Sequence, residues 1–274
     1  MQQLISKSSL GASLVHEPAC VLGPSLSLLR LPAAMSCEPS LYAGVVERNT
    51  RGRVLSMEML QREPAQLRRY DASQFGLLTA YVYPKGTWER LEVCNDWHVW
   101  LFLFDDQVDE LAEVGQRPEY LKAYVDACVA VLRGGALRAG ATPLERFTYD
   151  LRLRMSRLAS EMWMERFVTD VEDYIYRGTL LAARHWTDGT VPDLDSYIEQ
   201  RAMDSAVYTA EDLVEFAEPD QELPEELFRL PLVQRLRQLC TRVVALSNDL
   251  FSFEKEVLWH HNPNNFVHLL RVHH

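Results

Sequence analysis

The stretch WLFLFDDQVDE, residues 100–110, runs five apolar residues straight into Asp105, Asp106, Asp109 and Glu110, four carboxylates in six positions. Its apolar spacing lacks the strict alternation of a half-buried strand and predicts a helix. On a helix, Asp105 and Asp109 lie four positions apart and Asp106 and Asp109 three, so their carboxylates share a face. Unpaired, they repel. Such a face is either solvated or holds a hard cation, and both readings stand at this point.

Outward from this stretch, the chain of 274 residues is 47% hydrophobic, ample for a sizeable core. A net charge of −11 disfavours broad phosphate-backbone binding, so no nucleic-acid partner is expected. Only Lys7, Lys85, Lys122 and Lys255 are lysines among 28 cationic residues, the rest being arginine, whose rigid fork grips carboxylate and phosphate. The five cysteines are widely spaced and form no C-x-x-C pair, which predicts reduced thiols and a cytoplasmic location. No apolar run reaches the roughly 18 residues of a membrane span. Residues 1–40, rich in Ser, Pro, Ala and Leu without sustained period, predict a loosely structured extension.

From there the apolar period is helical nearly everywhere, which predicts an all-α domain over 41–274. Punctuation places helices from about Thr87 to Val114 and from Pro118 to Leu132, the second stopped by Gly134 and Gly135. The pattern from Pro143 to His185 exceeds ordinary globular length and requires a bend or two joined helices. Asp193 or Asp195 caps the next helix, which the period carries to about Phe216. A last helix runs from about Pro231 through Glu256.

That last helix contains SNDLFSFEKE, which sets Asn248, Ser252 and Glu256 at i, i+4 and i+8 along one stripe. An amide oxygen, a hydroxyl and a carboxylate are hard donors that suit an oxygen-loving divalent metal and suit zinc badly. The pattern N-D-x-x-S-x-x-x-E arises by chance in on the order of one such chain in a few hundred.

Together the two clusters resemble those of the class I terpene synthases of the bacterial type. Asp105-Asp106-x-x-Asp109 is similar to that family's aspartate-rich motif, and Asn248-Asp249-x-x-Ser252-x-x-Lys255-Glu256 to its second metal motif. Segments such as YPKGTWERLEVCNDWHVWLFLFDD and VPDLDSYIEQRAMDS extend the likeness over roughly residues 40–270. The resemblance implies a helical barrel with the two metal motifs facing each other over an apolar pocket, three Mg²⁺ ions, and a prenyl diphosphate substrate. Ionisation would be followed by carbocation cyclisation and release of pyrophosphate. Arg201 takes the place of the diphosphate-sensing arginine, Asp204 and Ser205 those of the hinge that follows it, and Lys255 that of a further phosphate contact. Phe102 and Leu101, three and four positions before Asp105, are expected to line the pocket; Trp97, Trp100 and Phe104 fit core packing better.

In one respect the chain departs from the family. Only 18 residues follow Glu256, without the later helices and the Arg-Tyr pair found in the family, so a barrel lacking its C-terminal helices is expected. A noncatalytic remnant that binds metal or diphosphate is the alternative reading. An isoprenyl chain-elongating synthase is a weaker one, since it should carry two aspartate-rich motifs. A homodimer is left open, and neither the product nor the prenyl chain length is legible, farnesyl diphosphate being favoured.

Overall fold

Helix α4, Trp88–Glu110, runs through the middle of the molecule with α1 (Ala43–Ser56), α3 (Phe75–Val82), α6 (Pro143–Leu158) and α10 (Val207–Ala217) packed around it. This is a computed structural model, and it describes residues 38–273 apart from 61, 111–117 and 260, with only the backbone of 107–110 and 118. The expected extension falls almost wholly outside the described residues.

Every residue from Val93 to Trp100 is buried, so α4 has no solvent face over these two turns. Its aromatics build a spine: Trp97 stacks on Trp100 with centroids 4.8 Å apart, Trp100 on Phe104 at 5.1 Å, and Trp97 meets Phe167 edge-on at 5.0 Å. Each indole N–H finds an acceptor, Trp97 at Thr209 Oγ1 (2.9 Å) and Trp100 at Thr148 Oγ1 (2.8 Å), so burying these rings leaves no polar group unpaired. Each large side chain removed from water contributes about 1.5–3 kcal/mol. The buried carboxylate of Asp96 is held by Arg53 and Arg154, both at 2.5 Å.

Most of the expected punctuation appears. Helix α5 is Pro118–Leu132. Helix α6 starts at a capping box in which Thr142 and Glu145 satisfy each other's backbone N–H groups. The long pattern after Pro143 divides at Ser160, which caps α7 (Glu161–Glu172) through a bond from Trp163 N–H. A π segment, Asp173–Thr179, then joins α7 to α8 (Leu180–Asp188). Asp193 caps α9, Leu194–Asp204. The expected continuation to Phe216 is corrected: the chain breaks at Ser205–Ala206, with Ala206 left-handed at φ 57°. After the short α11 (Glu225–Phe228) comes α12, Pro231–Phe253, passing into a second π segment, Glu254–Trp259, and then α13, Phe266–His273. Among the described residues there is no strand, and no helix is long and apolar enough to cross a membrane. Cys94, Cys128 and Cys240 are free thiols.

Candidate active site

The end of α4, the first π segment, α9 and the end of α12 converge on one cavity. Asp105, Arg201, Asp204, Asn248 and Glu256 line it together with Thr179, Trp186, Asn262 and Asn264. Its volume is about 60 Å³, room for several water molecules or a hydrated ion. Gly178 makes the convergence possible: a Cβ there would come within 2.5 Å of Asp204 Cα, so only glycine lets α9 lie this close to the π segment.

Asp249, fully buried behind Asn248, fixes the back of the site. One carboxylate oxygen accepts from Tyr197 Oη (2.7 Å) and the Phe266 N–H (2.9 Å), the other from Arg201 Nε (2.7 Å). A second nitrogen of Arg201 donates to Asn248 Oδ1 at 3.0 Å. Asn265 Nδ2 ties Glu256 Oε2 (3.0 Å) to the Asp249 carbonyl (2.9 Å), linking the second π segment to the last turns of α12. Across the mouth, Asp106 Oδ1 accepts from Arg69 of α2 (Pro64–Ser73) at 2.8 Å and from Lys255 Nζ at 3.4 Å.

Three carboxylates share the cavity with one guanidinium. The surrounding protein displaces bulk water from Asp105 even though its side chain stays accessible from the cleft; with Asp204 and Glu256 adding repulsion against Arg201 and Lys255, its carboxyl is pushed up to about 7. Asp204 is also raised, by desolvation first and by Asp249 and Glu256, with Arg201 opposing. Such crowding favours a cation. Among the described residues no three His, Cys, Asp or Glu side chains form a metal cage. The donors here are instead carboxylate and amide oxygens, which suits a hard ion that completes its shell with water and phosphate oxygens.

Of the residues singled out from the sequence, Asp105, Arg201, Asp204, Asn248 and Glu256 come together on the cavity wall, and Asp106 and Lys255 pair beside it. The side chain of Asp109 lies outside the described residues. Ser252 is not on the wall; its hydroxyl donates to the Asn248 carbonyl at 2.9 Å. Nor is Ser205, which terminates α9 by donating to the Ala202 carbonyl and accepting from the Val207 N–H. Phe102 and Leu101, expected to line the pocket, are not among the residues around this cavity. Helix α3 packs along that side of α4, so Phe102 rests on Phe75 with centroids 5.2 Å apart, and Leu101 packs on the core. Thr179, Trp186, Asn262 and Asn264 carry no motif signal in the sequence and reach the site only through tertiary packing.

Residues 96–274 match the family model described as terpene synthase family 2, C-terminal metal binding. The germacrene A synthase of Nostoc punctiforme is 34% identical over 232 residues, 85% of this chain and 70% of that protein. The (+)-T-muurolol synthase of Roseiflexus castenholzii, named as cyclizing (2E,6E)-farnesyl diphosphate, is 32% identical over 73% of this chain and 60% of its own length. The chain thus spans about two thirds of the length of such relatives. Among solved structures, the linalool/nerolidol synthase of Streptomyces clavuligerus in complex with 2-fluorogeranyl diphosphate superimposes with a TM-score of 0.76 at 25% identity, over 86% of this chain and 78% of that one. Sequence, fold and the cavity between two acidic helix ends agree that the chain belongs to the class I terpene synthase family.

Proposed function

We propose that the chain ionises a prenyl diphosphate in a Mg²⁺-dependent reaction and directs cyclisation of the resulting cation, with farnesyl diphosphate as the favoured substrate. The observation that carries this reading is that Asp105 and Asn248, 143 positions apart, line one cavity together with Arg201, which donates to Asn248. Asp105, Asn248 and Glu256 would hold the metal, with Ser252 and Asp106 close enough in sequence to join them as side chains adjust. Bound Mg²⁺ supplies neutralisation of the charge that builds on departing pyrophosphate. Arg201 and Lys255 contribute hydrogen bonds and positive charge to the same oxygens. Asp204, whose proton affinity is raised, responds to any displacement of its Arg201 neighbour. Ala182, Ala183 and Trp186 form the apolar part of the lining over which the hydrocarbon end would enter. The relatives' names support the sesquiterpene range, and the (+)-T-muurolol synthase is named for farnesyl diphosphate itself.

The test is incubation of the purified chain with geranyl, farnesyl and geranylgeranyl diphosphate and Mg²⁺, with hydrocarbon products read by gas chromatography. Cyclic product from farnesyl diphosphate is expected, abolished by chelation and by Asp105→Ala or Asn248→Ala. Pyrophosphate binding that needs metal but yields no product would favour the noncatalytic reading.

A further inference from the structure

Resting on the reading that Glu256 is a metal ligand, we propose that Asn265 is a positioning residue for that ligand, holding its carboxylate at the cavity from the start of α13. Glu256 needs such a hold. It sits in the second π segment, whose wider turn breaks the α-helical register that α12 imposes on Asn248. Continuation of the helix therefore does not fix where the carboxylate lies, and a glutamate has much rotamer freedom to lose on being fixed.

Asn265 is fully buried, and its amide is engaged at both ends. Oδ1 accepts from the N–H groups of Val267 (3.0 Å) and His268 (3.4 Å), which caps α13. Backbone N–H groups only donate, so the amide cannot be turned over and its NH₂ must face the other way. There it donates to the Asp249 carbonyl at 2.9 Å and to Glu256 Oε2 at 3.0 Å. The Asn262 N–H adds a 2.9 Å bond to the Glu256 carbonyl, so backbone and side chain of Glu256 are tied to one short segment. Asn265 thus joins Glu256 to the residue beside Asn248 and sets the two ligands relative to each other. A donor behind a ligating carboxylate orients it and leaves the opposite oxygen, here Oε1, for the cation.

The experiment is Mn²⁺ binding to the full chain with inorganic pyrophosphate present, read by electron paramagnetic resonance, beside urea unfolding of the same variants. Asn265→Ser keeps an oxygen that caps α13, serine being about as good a cap as asparagine, and is too short to donate to Glu256. Its urea midpoint should stay near that of the unsubstituted protein while Mn²⁺ binding weakens about tenfold or more. Asn265→Thr caps in the same way and fills more of the space, and it decides the question if the serine variant does not fold. Where Glu256→Ala is already present, either substitution should cost no more than about twofold, because its effect runs through that carboxylate. Variants at Asn265 that bind Mn²⁺ as tightly as the unsubstituted protein overturn the proposal, and so does a loss that is undiminished beside Glu256→Ala. Failure of the underlying reading looks different: Glu256→Ala by itself would leave Mn²⁺–pyrophosphate binding intact.

Discussion

Lys255 Nζ lies 3.4 Å from Asp106 Oδ1, so two residues 149 positions apart in the chain close the gap between the two metal motifs. Both partners are about one third exposed, so the pair contributes little to folding. Lys255→Met is expected to change the unfolding free energy by less than about 1 kcal/mol. Its effect should fall on ligand binding, because Asp106 and any bound diphosphate compete for the same ammonium. Calorimetry with pyrophosphate and Mg²⁺ should show affinity reduced about tenfold, in line with loss of one charge-assisted contact. A large loss in urea-melt stability with unchanged binding would make the pair structural.

Gly178 offers a different separation of effects. Any side chain there meets the backbone of Met203 and Asp204, which cannot step aside as a flexible side chain can. Gly178→Ala should cost about 1–3 kcal/mol in urea unfolding, the usual range for overpacking. It should also push α9 outward and carry Arg201 with it, so that pyrophosphate affinity falls together with stability. Stability lost with binding retained would show that the close approach does not position the guanidinium.

How much of this was legible beforehand depends on whether the determining chemistry is local. The limits of α5 and the Asp193 cap were readable because proline, glycine and capping side chains act within a turn. The break at Ser205–Ala206 was not, since Ala206 takes a left-handed conformation usually left to glycine and no breaker marks it. The π segment before α8 was hidden for a similar reason: it is held by packing of Gly178 on α9, a tertiary fact. Hard donors gave away Asp105, Asn248 and Glu256, whereas Thr179, Asn262 and Asn264 have ordinary neighbours in the chain. The aromatic run before Asp105 shows the limit of helical period. It fits the burial of Trp97, Trp100 and Phe104 but does not fix the surroundings of Phe102, which touches Phe75 of α3 and stays 47% exposed.

His98 is buried between Thr79, whose hydroxyl lies 2.9 Å from Nδ1, and Tyr83, whose hydroxyl lies 3.3 Å from Nε2. Burial pushes its imidazole down to about 4, so the folded state holds it neutral where the unfolded chain would protonate it near 6.5. The contribution to stability is therefore complete above about pH 6.5 and is lost as the pH falls toward 4, totalling about 3 kcal/mol. Urea unfolding at pH 7, 5.5 and 4.5 should show the decline, and His98→Gln should flatten it while lowering stability at pH 7. An unchanged slope in that variant would assign the acid sensitivity to other groups.

Helix α12 carries an apolar stripe at alternating spacings of four and three, Leu232, Leu236, Leu239, Val243, Leu246 and Leu250, with Val243 67% and Leu232 70% exposed. Leu239, Val243, Leu246, Leu250 and Phe266 border an open groove along it. A contiguous apolar face of this kind binds hydrophobic dyes and lowers solubility, and its exposed members contribute little to folding. Leu236→Lys combined with Val243→Lys should reduce anilinonaphthalene sulfonate fluorescence and raise soluble yield, while moving the unfolding free energy by no more than about 0.5 kcal/mol per site. The metal motif lies on another side of the same helix, so pyrophosphate binding should persist in the double variant. A cooperative loss of several kcal/mol would mean instead that the stripe is packed in solution, and that α12 reaches its position at the cavity only with this face covered.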